Sequence, residues 1–213
     1  MINRFFKGLV AGLLAIGSMT AQAESDNPYT MLQEVATITF DRIKKEHDQI
    51  QKNPELLRNV MEEELLPYID YKFSALKVLG KYYKKVPKEQ FPEYISVFRS
   101  YLITTYALAM AYYNGQEVEF QPVREVTDES TVTVRAIVKE PGRPDINLAF
   151  KLRKNKNTDE WKAYDMVAEG ISLLSSKQSE FESMLRTDGL DAVMDMMKQT
   201  INKPINLEAA TKG

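Results

Sequence analysis

Two stretches between residues 130 and 153 alternate apolar and polar side chains, and a chain carrying them must build a sheet with one covered face and one wet face. In Ser130–Lys139, Val132, Val134, Ala136 and Val138 fall on one side. Thr131, Thr133, Arg135 and Lys139 fall on the other, with Ile137 the single apolar exception. Ile146, Leu148, Phe150 and Leu152 then alternate with Asn147, Ala149, Lys151 and Arg153, and Trp161–Ala168 supplies a further strand. Gln116–Pro122 reads as a shorter strand ahead of them. The turn Pro141-Gly142-Arg143-Pro144 and the polar loop Lys154–Glu160 are too short for a crossover, so the connections imply a four-stranded antiparallel meander.

Helical periodicity brackets this sheet. Tyr29, Ala36, Ile43 and Ile50 recur every seven residues beside Leu32 and Val35, making one stripe. Asn53-Pro54 opens a second helix through Leu56, Leu57, Val60, Met61 and Leu65, and Pro67 ends it. Asp70 is placed to cap a third, stopped by Gly80. Pro87 opens the longest helix, running to about Tyr113 with Pro92 as a possible kink, and Asn114-Gly115 closes it. Two more helices follow Gly170 and Gly189. The pattern is an α+β fold, helical over 27–113, sheet over 116–168 and helical over 170–201, with helices on one face of the sheet.

The long helix is apolar over more than half its circumference, so it is buried on a wide arc or lines something apolar. Nine of the eleven tyrosines and three phenylalanines lie between residues 68 and 113. Tyrosine suits the border between an apolar interior and water. That fits either a core whose hydroxyls reach the surface or the wall of a site for a hydrophobic ligand.

The N-terminus carries an address. Arg4 and Lys7 precede an apolar run from Leu9 to Ile16, and Ala21-Gln22-Ala23 has the small-x-small form of a signal-peptidase site. Eight apolar residues are too few to span a bilayer, which takes about 20. The expectation is a signal peptide over 1–23 and a single domain over 24–213, released into a bacterial periplasm.

Composition excludes much chemistry. Cysteine is absent and His47, set among charges, is the single histidine, which removes thiolate zinc sites, iron–sulfur clusters and cysteine nucleophiles. A net charge of −2 gives no general attraction to nucleic acid. No P-loop, dinucleotide fingerprint or nucleophile elbow occurs. Glu62-Glu63-Glu64 points in different directions around a helix and reads as a solvated run. Asp165 and Glu169 read as hairpin and turn residues, and Met184, Met194, Met196 and Met197 as packing of a terminal helix. No metal, cofactor or catalytic residue is expected. Lys81, Lys84, Lys85 and Lys88 surround Tyr82 and Tyr83 and form a candidate docking patch, or simply a solvated basic turn.

Several stretches carry a resemblance: NPYTMLQEVATITFDRIK (27–44), ELLPYIDYKFSALKVLGKYYK (64–84), FRSYLITTYALAMAYYNGQ (98–116), WKAYDMVAEGISLLSSKQSEF (161–181) and LRTDGLDAVMDMMK (185–198). Together they make the chain similar to the MlaC family, also called the toluene-tolerance auxiliary family, over nearly all of the mature length. The resemblance implies a fold similar to nuclear transport factor 2, a curved sheet closed by helices around an apolar cavity. It implies a soluble carrier, not an enzyme, that holds a glycerophospholipid with its tails buried. Its partners would be an outer-membrane lipoprotein–porin complex and an inner-membrane ABC transporter bearing an MCE-domain protein, and its role the maintenance of outer-membrane lipid asymmetry. A cargo-free periplasmic adaptor and a lipid-ester hydrolase are the alternatives. Apolar faces combined with that architecture put the expected lipid-binding wall at Phe73, Leu76, Leu79, Phe98, Leu102 and Tyr106 from the helices. Leu148, Phe150, Tyr164 and Met166 would complete it from the sheet.

Overall fold

The alternation becomes one antiparallel sheet in a computed structural model that describes residues 27–207. The expected signal peptide lies outside the described residues. The strands are β1 (Glu117–Phe120), β2 (Thr131–Lys139), β3 (Ile146–Lys154), β4 (Trp161–Ala168) and β5 (Ile171–Ser172), in the order β1-β2-β3-β4-β5. The expected count of four is corrected to five. At two residues β5 is too short to show alternation, and it turns back on β4 through Glu169 and Gly170, both at positive φ.

A bulge interrupts β4. Leu152 pairs with Ala163, and Phe150 with Met166, so a register shift between Lys151 and Leu152 leaves one extra residue on β4. Cross-strand partners share a face. Ala163 and Met166 therefore both stand on the covered face although three residues apart, and Tyr164 sits at the irregularity.

Helix α1 (Pro28–Lys45) is capped by Asn27, whose side chain accepts from the backbone N–H groups of Tyr29 (2.9 Å) and Thr30 (3.4 Å). The stripe continues past Glu46 as a separate α2 (His47–Lys52), on which His47 is exposed. The helix expected from Asn53-Pro54 to Pro67 is instead α3 (Leu56–Val60), one wide π turn (Met61–Leu65) and a 3₁₀ turn (Leu66–Tyr68). Pro67 cannot donate an i−4 hydrogen bond, so the regular helix cannot run through it. Asp70 caps α4 (Tyr71–Val78) by accepting from the Phe73 N–H at 3.1 Å. Gly80 follows at φ +52°, and a Cβ there would collide with the Gln178 side chain. The longest helix, α5 (Phe91–Met110), begins after a separate 3₁₀ turn at Lys88–Gln90, so Pro92 lies in its first turn, where no hydrogen bond is lost. α6 (Leu173–Thr187) and α7 (Gly189–Ile201) close the order.

Three packing units result, the third being Ile43, Ile50, Leu57, Val60, Met61, Ile103 and Ala107 between α1, α2, α3 and α5. Helices α4 to α7 enclose a core of Ala75, Val78, Leu79, Tyr94, Phe98, Tyr101, Phe181, Val193 and Met197. Its rings run in series, with Tyr94–Phe98, Phe98–Tyr101 and Tyr101–Phe181 centroids 6.1, 6.2 and 6.5 Å apart. The buried Tyr94 hydroxyl donates to the Ala75 carbonyl at 2.8 Å. The second unit sets Tyr29, Met31, Leu32 and Val35 of α1 against Val132, Val134, Leu152 and Trp161 of the sheet. α1 covers only that part of the sheet. The rest of the same face is left for the site.

Candidate functional site

Burial along the covered face marks where packing stops. Val134 and Leu152 are fully buried, whereas Leu148, Phe150 and Met166 are only half-buried. They face a cavity of about 760 Å³. Its other walls are the second half of α1 (Ala36, Thr39, Phe40), the π turn (Met61, Leu65), the end of α5 (Tyr106, Met110) and Tyr113 just beyond it. The lining is overwhelmingly apolar.

Charge gathers at one end. Glu140, Arg143 and Asp145 of the β2–β3 hairpin and Glu169 of the β4–β5 turn belong to the lining. The Arg143 guanidinium lies 3.4 Å from the Glu140 carboxylate, and the Glu169 carboxylate accepts from the Asn147 N–H. Exposed Tyr112 and Ile146 stand at this rim.

Two polar side chains inside have defined states. Burial, with the negative Asp165 carboxylate as a second cause, pushes the Tyr106 phenol up to about 12, so it stays a neutral donor at physiological pH. Asp165 is fully engaged. It pairs with Lys151 Nζ at 2.9 Å and accepts from Ser172 Oγ at 2.8 Å and from the Leu174 N–H at 3.0 Å, tying β3, β5 and the start of α6 together. That is the work of an anchor, and the hairpin-and-turn reading of Asp165 and Glu169 agrees with it.

Of the ten expected wall residues, Tyr106, Leu148, Phe150, Tyr164 and Met166 line the cavity. Phe73, Leu76, Leu79, Phe98 and Leu102 do not. Leu79 and Phe98 are buried in the helical core and Leu102 packs against it. Phe73 lies edge-on to Tyr164 at 5.3 Å with the Arg153 guanidinium 4.1 Å over its ring. Leu76 is half-buried on α4 outside the lining. Apolar helix faces cannot by themselves distinguish packing against another helix from facing a hollow. The contributions missed are those of the π turn, of β1 (Val118, Phe120) and of α1, although the i, i+4 row Leu32–Ala36–Phe40 of α1 was readable as one face.

Lys81, Lys84, Lys85 and Lys88 are all exposed, and none lines the cavity. Lys81 is ion-paired with Glu182, and Lys81 and Lys85 place their ammonium groups 5.5 and 5.2 Å from the Tyr82 ring centroid. Among the described residues there is no cluster of histidine or carboxylate side chains suited to a metal ion. No helix among them is long and apolar enough to cross a membrane.

The MlaC protein family model matches residues 33–199. The chain belongs to the MlaC family. A family member from Haemophilus influenzae, the intermembrane phospholipid transport system binding protein MlaC, is 33% identical over 187 residues, covering 87% of both chains. The toluene tolerance protein ttg2D of Pseudomonas putida is 22% identical over 192 residues, or 90% of this chain and 87% of its own. Among solved structures, a phospholipid-binding protein from Ralstonia solanacearum in complex with a phospholipid superposes with a TM-score of 0.71. It is 22% identical and covers 82% of this chain and 97% of its own, which shows the shared fold.

Proposed function

We propose that this protein is a soluble periplasmic carrier that holds a glycerophospholipid by its acyl tails and shuttles it between the two membranes. The carrying observation is the apolar cavity with a charged rim at one end. Such a hollow is costly to leave open in water and suits a ligand with an apolar body and a polar head. Two acyl tails hold on the order of 30 methylenes, each worth about 0.8 kcal/mol against water. Unaided passage across an aqueous space is therefore prohibitively slow. Exchange between a bilayer and an apolar protein cavity is close to neutral, so the carrier needs to shield tails and needs no covalent chemistry. The Haemophilus relative's description as a phospholipid transport binding protein supports this reading.

In the same reading the first 23 residues are a cleaved signal, and the sheet with its helices is a cavity fold of the nuclear transport factor 2 kind. The partners are an outer-membrane lipoprotein–porin complex and an inner-membrane ABC transporter with its MCE-domain protein. Lipid extraction and mass spectrometry of protein purified from the periplasm test it. Stoichiometric phospholipid is expected on a chain beginning at Glu24. An empty protein favours a cargo-free adaptor, and turnover of lipid esters favours a hydrolase.

The exposed lysine patch gives a prediction about delivery. Clustered surface charge chiefly raises encounter rates and fades as salt screens it. Replacing Lys81, Lys84, Lys85 and Lys88 with glutamate should leave bound lipid unchanged and slow transfer to membrane complexes at low ionic strength several-fold. Transfer at the unmodified rate to both membranes would reduce the patch to a solvated turn.

A further inference from the structure

Beside the cavity lies a second hollow of about 440 Å³, between α1 and β1. Ala36, Phe40, Tyr113, Gln116, Val118 and Phe120 belong to both walls, so they are what separates the two. Within that wall Phe40 and Tyr113 stack, with ring centroids 4.6 Å apart and planes inclined by 29°. Phe40 comes from α1, and Tyr113 comes from the segment joining α5 to β1. The stack thus bridges the elements that would have to part for the hollows to merge. Beside the stack, the Gln33 side-chain amide reaches the Gln121 carbonyl only at 3.5 Å, the outer limit of a hydrogen bond. The lining of the second hollow is mixed, with Ala36, Phe40, Val118 and Phe120 apolar and Gln33, Thr37, Asp41, Lys44 and Glu117 polar or charged.

We propose that the Phe40–Tyr113 stack is a partition that sets how many acyl chains the protein can hold. The inference rests on the phospholipid-carrier reading. The second hollow is larger than half the cavity, so if the cavity serves the two tails of one lipid, the hollow is the size of at least one more. Phe40, Val118 and Phe120 offer a chain its apolar contacts there, while the charged side chains keep the rest of the hollow wet. With the stack in place, cargo is confined to the cavity. With the stack removed, the two spaces become one, and lipids with more or bulkier chains fit.

Removing one ring is the test. Phe40→Ala leaves space where an aromatic side chain stood, and the fatty acid bound per mole of purified protein should rise about 1.5-fold or more. Fatty-acid methyl esters and lipid phosphorus are measured on the same sample, and native mass spectrometry gives the stoichiometry. Adding Thr37→Trp to Phe40→Ala fills the second hollow from its exposed edge without touching the cavity wall, and should return the load to that of the unmodified protein. An unchanged load in folded Phe40→Ala and Tyr113→Ala proteins overturns the partition, as does a gain that Thr37→Trp fails to reverse. If the unmodified protein carries no phospholipid, the carrier reading itself fails. If it is loaded and the variants match it, only the partition fails.

Discussion

Leu148→Arg is expected to lower co-purified phospholipid about tenfold or more while leaving the protein folded, because a loss of only 1.4 kcal/mol of binding free energy is already a factor of ten. Leu148 sits on the covered face of β3, pairs with Ala136 on one side and Ala168 on the other, and remains half-buried because the cavity lies over it. A guanidinium there stays charged and must face either acyl tails or the water that fills an empty cavity. With lipid bound it is an unpaired charge against hydrocarbon. Without lipid it is solvated, so the substitution weighs on the loaded state far more than on the fold. Leu102→Arg makes the informative partner, since Leu102 packs against the helical core and does not line the cavity. There the same side chain should lower the melting temperature. Lipid extraction and thermal denaturation of both variants decide the matter. Undiminished lipid on folded Leu148→Arg would remove the cavity as the tail site.

How much of this was readable beforehand follows from how each signal is encoded. The sheet was legible because period-two alternation is written into Val132–Val138 and Ile146–Leu152 themselves, and the turn at Pro141–Pro144 fixes their order. The cap at Asp70 and the stop at Gly80 were legible for the same local reason. β5 and the bulge at Tyr164 were not, because a two-residue strand has no period and a bulge is defined by its partner strand. The cavity was half legible. Its wall on β3 follows from alternation, so Leu148 and Phe150 were found, whereas alternation did not fix which face of β4 turns inward. Its helical wall depends on which helix stands over which half of the sheet, a tertiary fact absent from any single helix. Leu79 and Phe98 have the same apolar surroundings in sequence as Tyr106, yet they meet α6 and α7 while Tyr106 meets the hollow. α1 escaped because its apolar stripe does two jobs, packing the sheet with Tyr29 and Leu32 and opening onto the cavity with Ala36 and Phe40.

Phe181→Ala is expected to do the reverse of Leu148→Arg, costing stability without costing cargo. The Phe181 ring is fully buried, packs with Tyr101 at 6.5 Å, and belongs to the core enclosed by α4 to α7. Its removal takes away apolar burial and leaves a void that the neighbouring rings of Tyr101 and Phe98 are too rigid to fill, a loss of about 3–5 kcal/mol. For a domain of this size the melting temperature should fall by roughly 6–20 °C. The measurement belongs on delipidated protein, because a ligand bound only by the folded state stabilises it by mass action and would mask the loss. Phe181 lines no part of the cavity, so refolded or low-temperature Phe181→Ala protein should take up phospholipid to the same molar ratio as the unmodified chain. The core of α4 to α7 is a packing unit separate from the space over the sheet. A variant that kept its melting temperature but lost its lipid would show that this core and the cavity are one compartment.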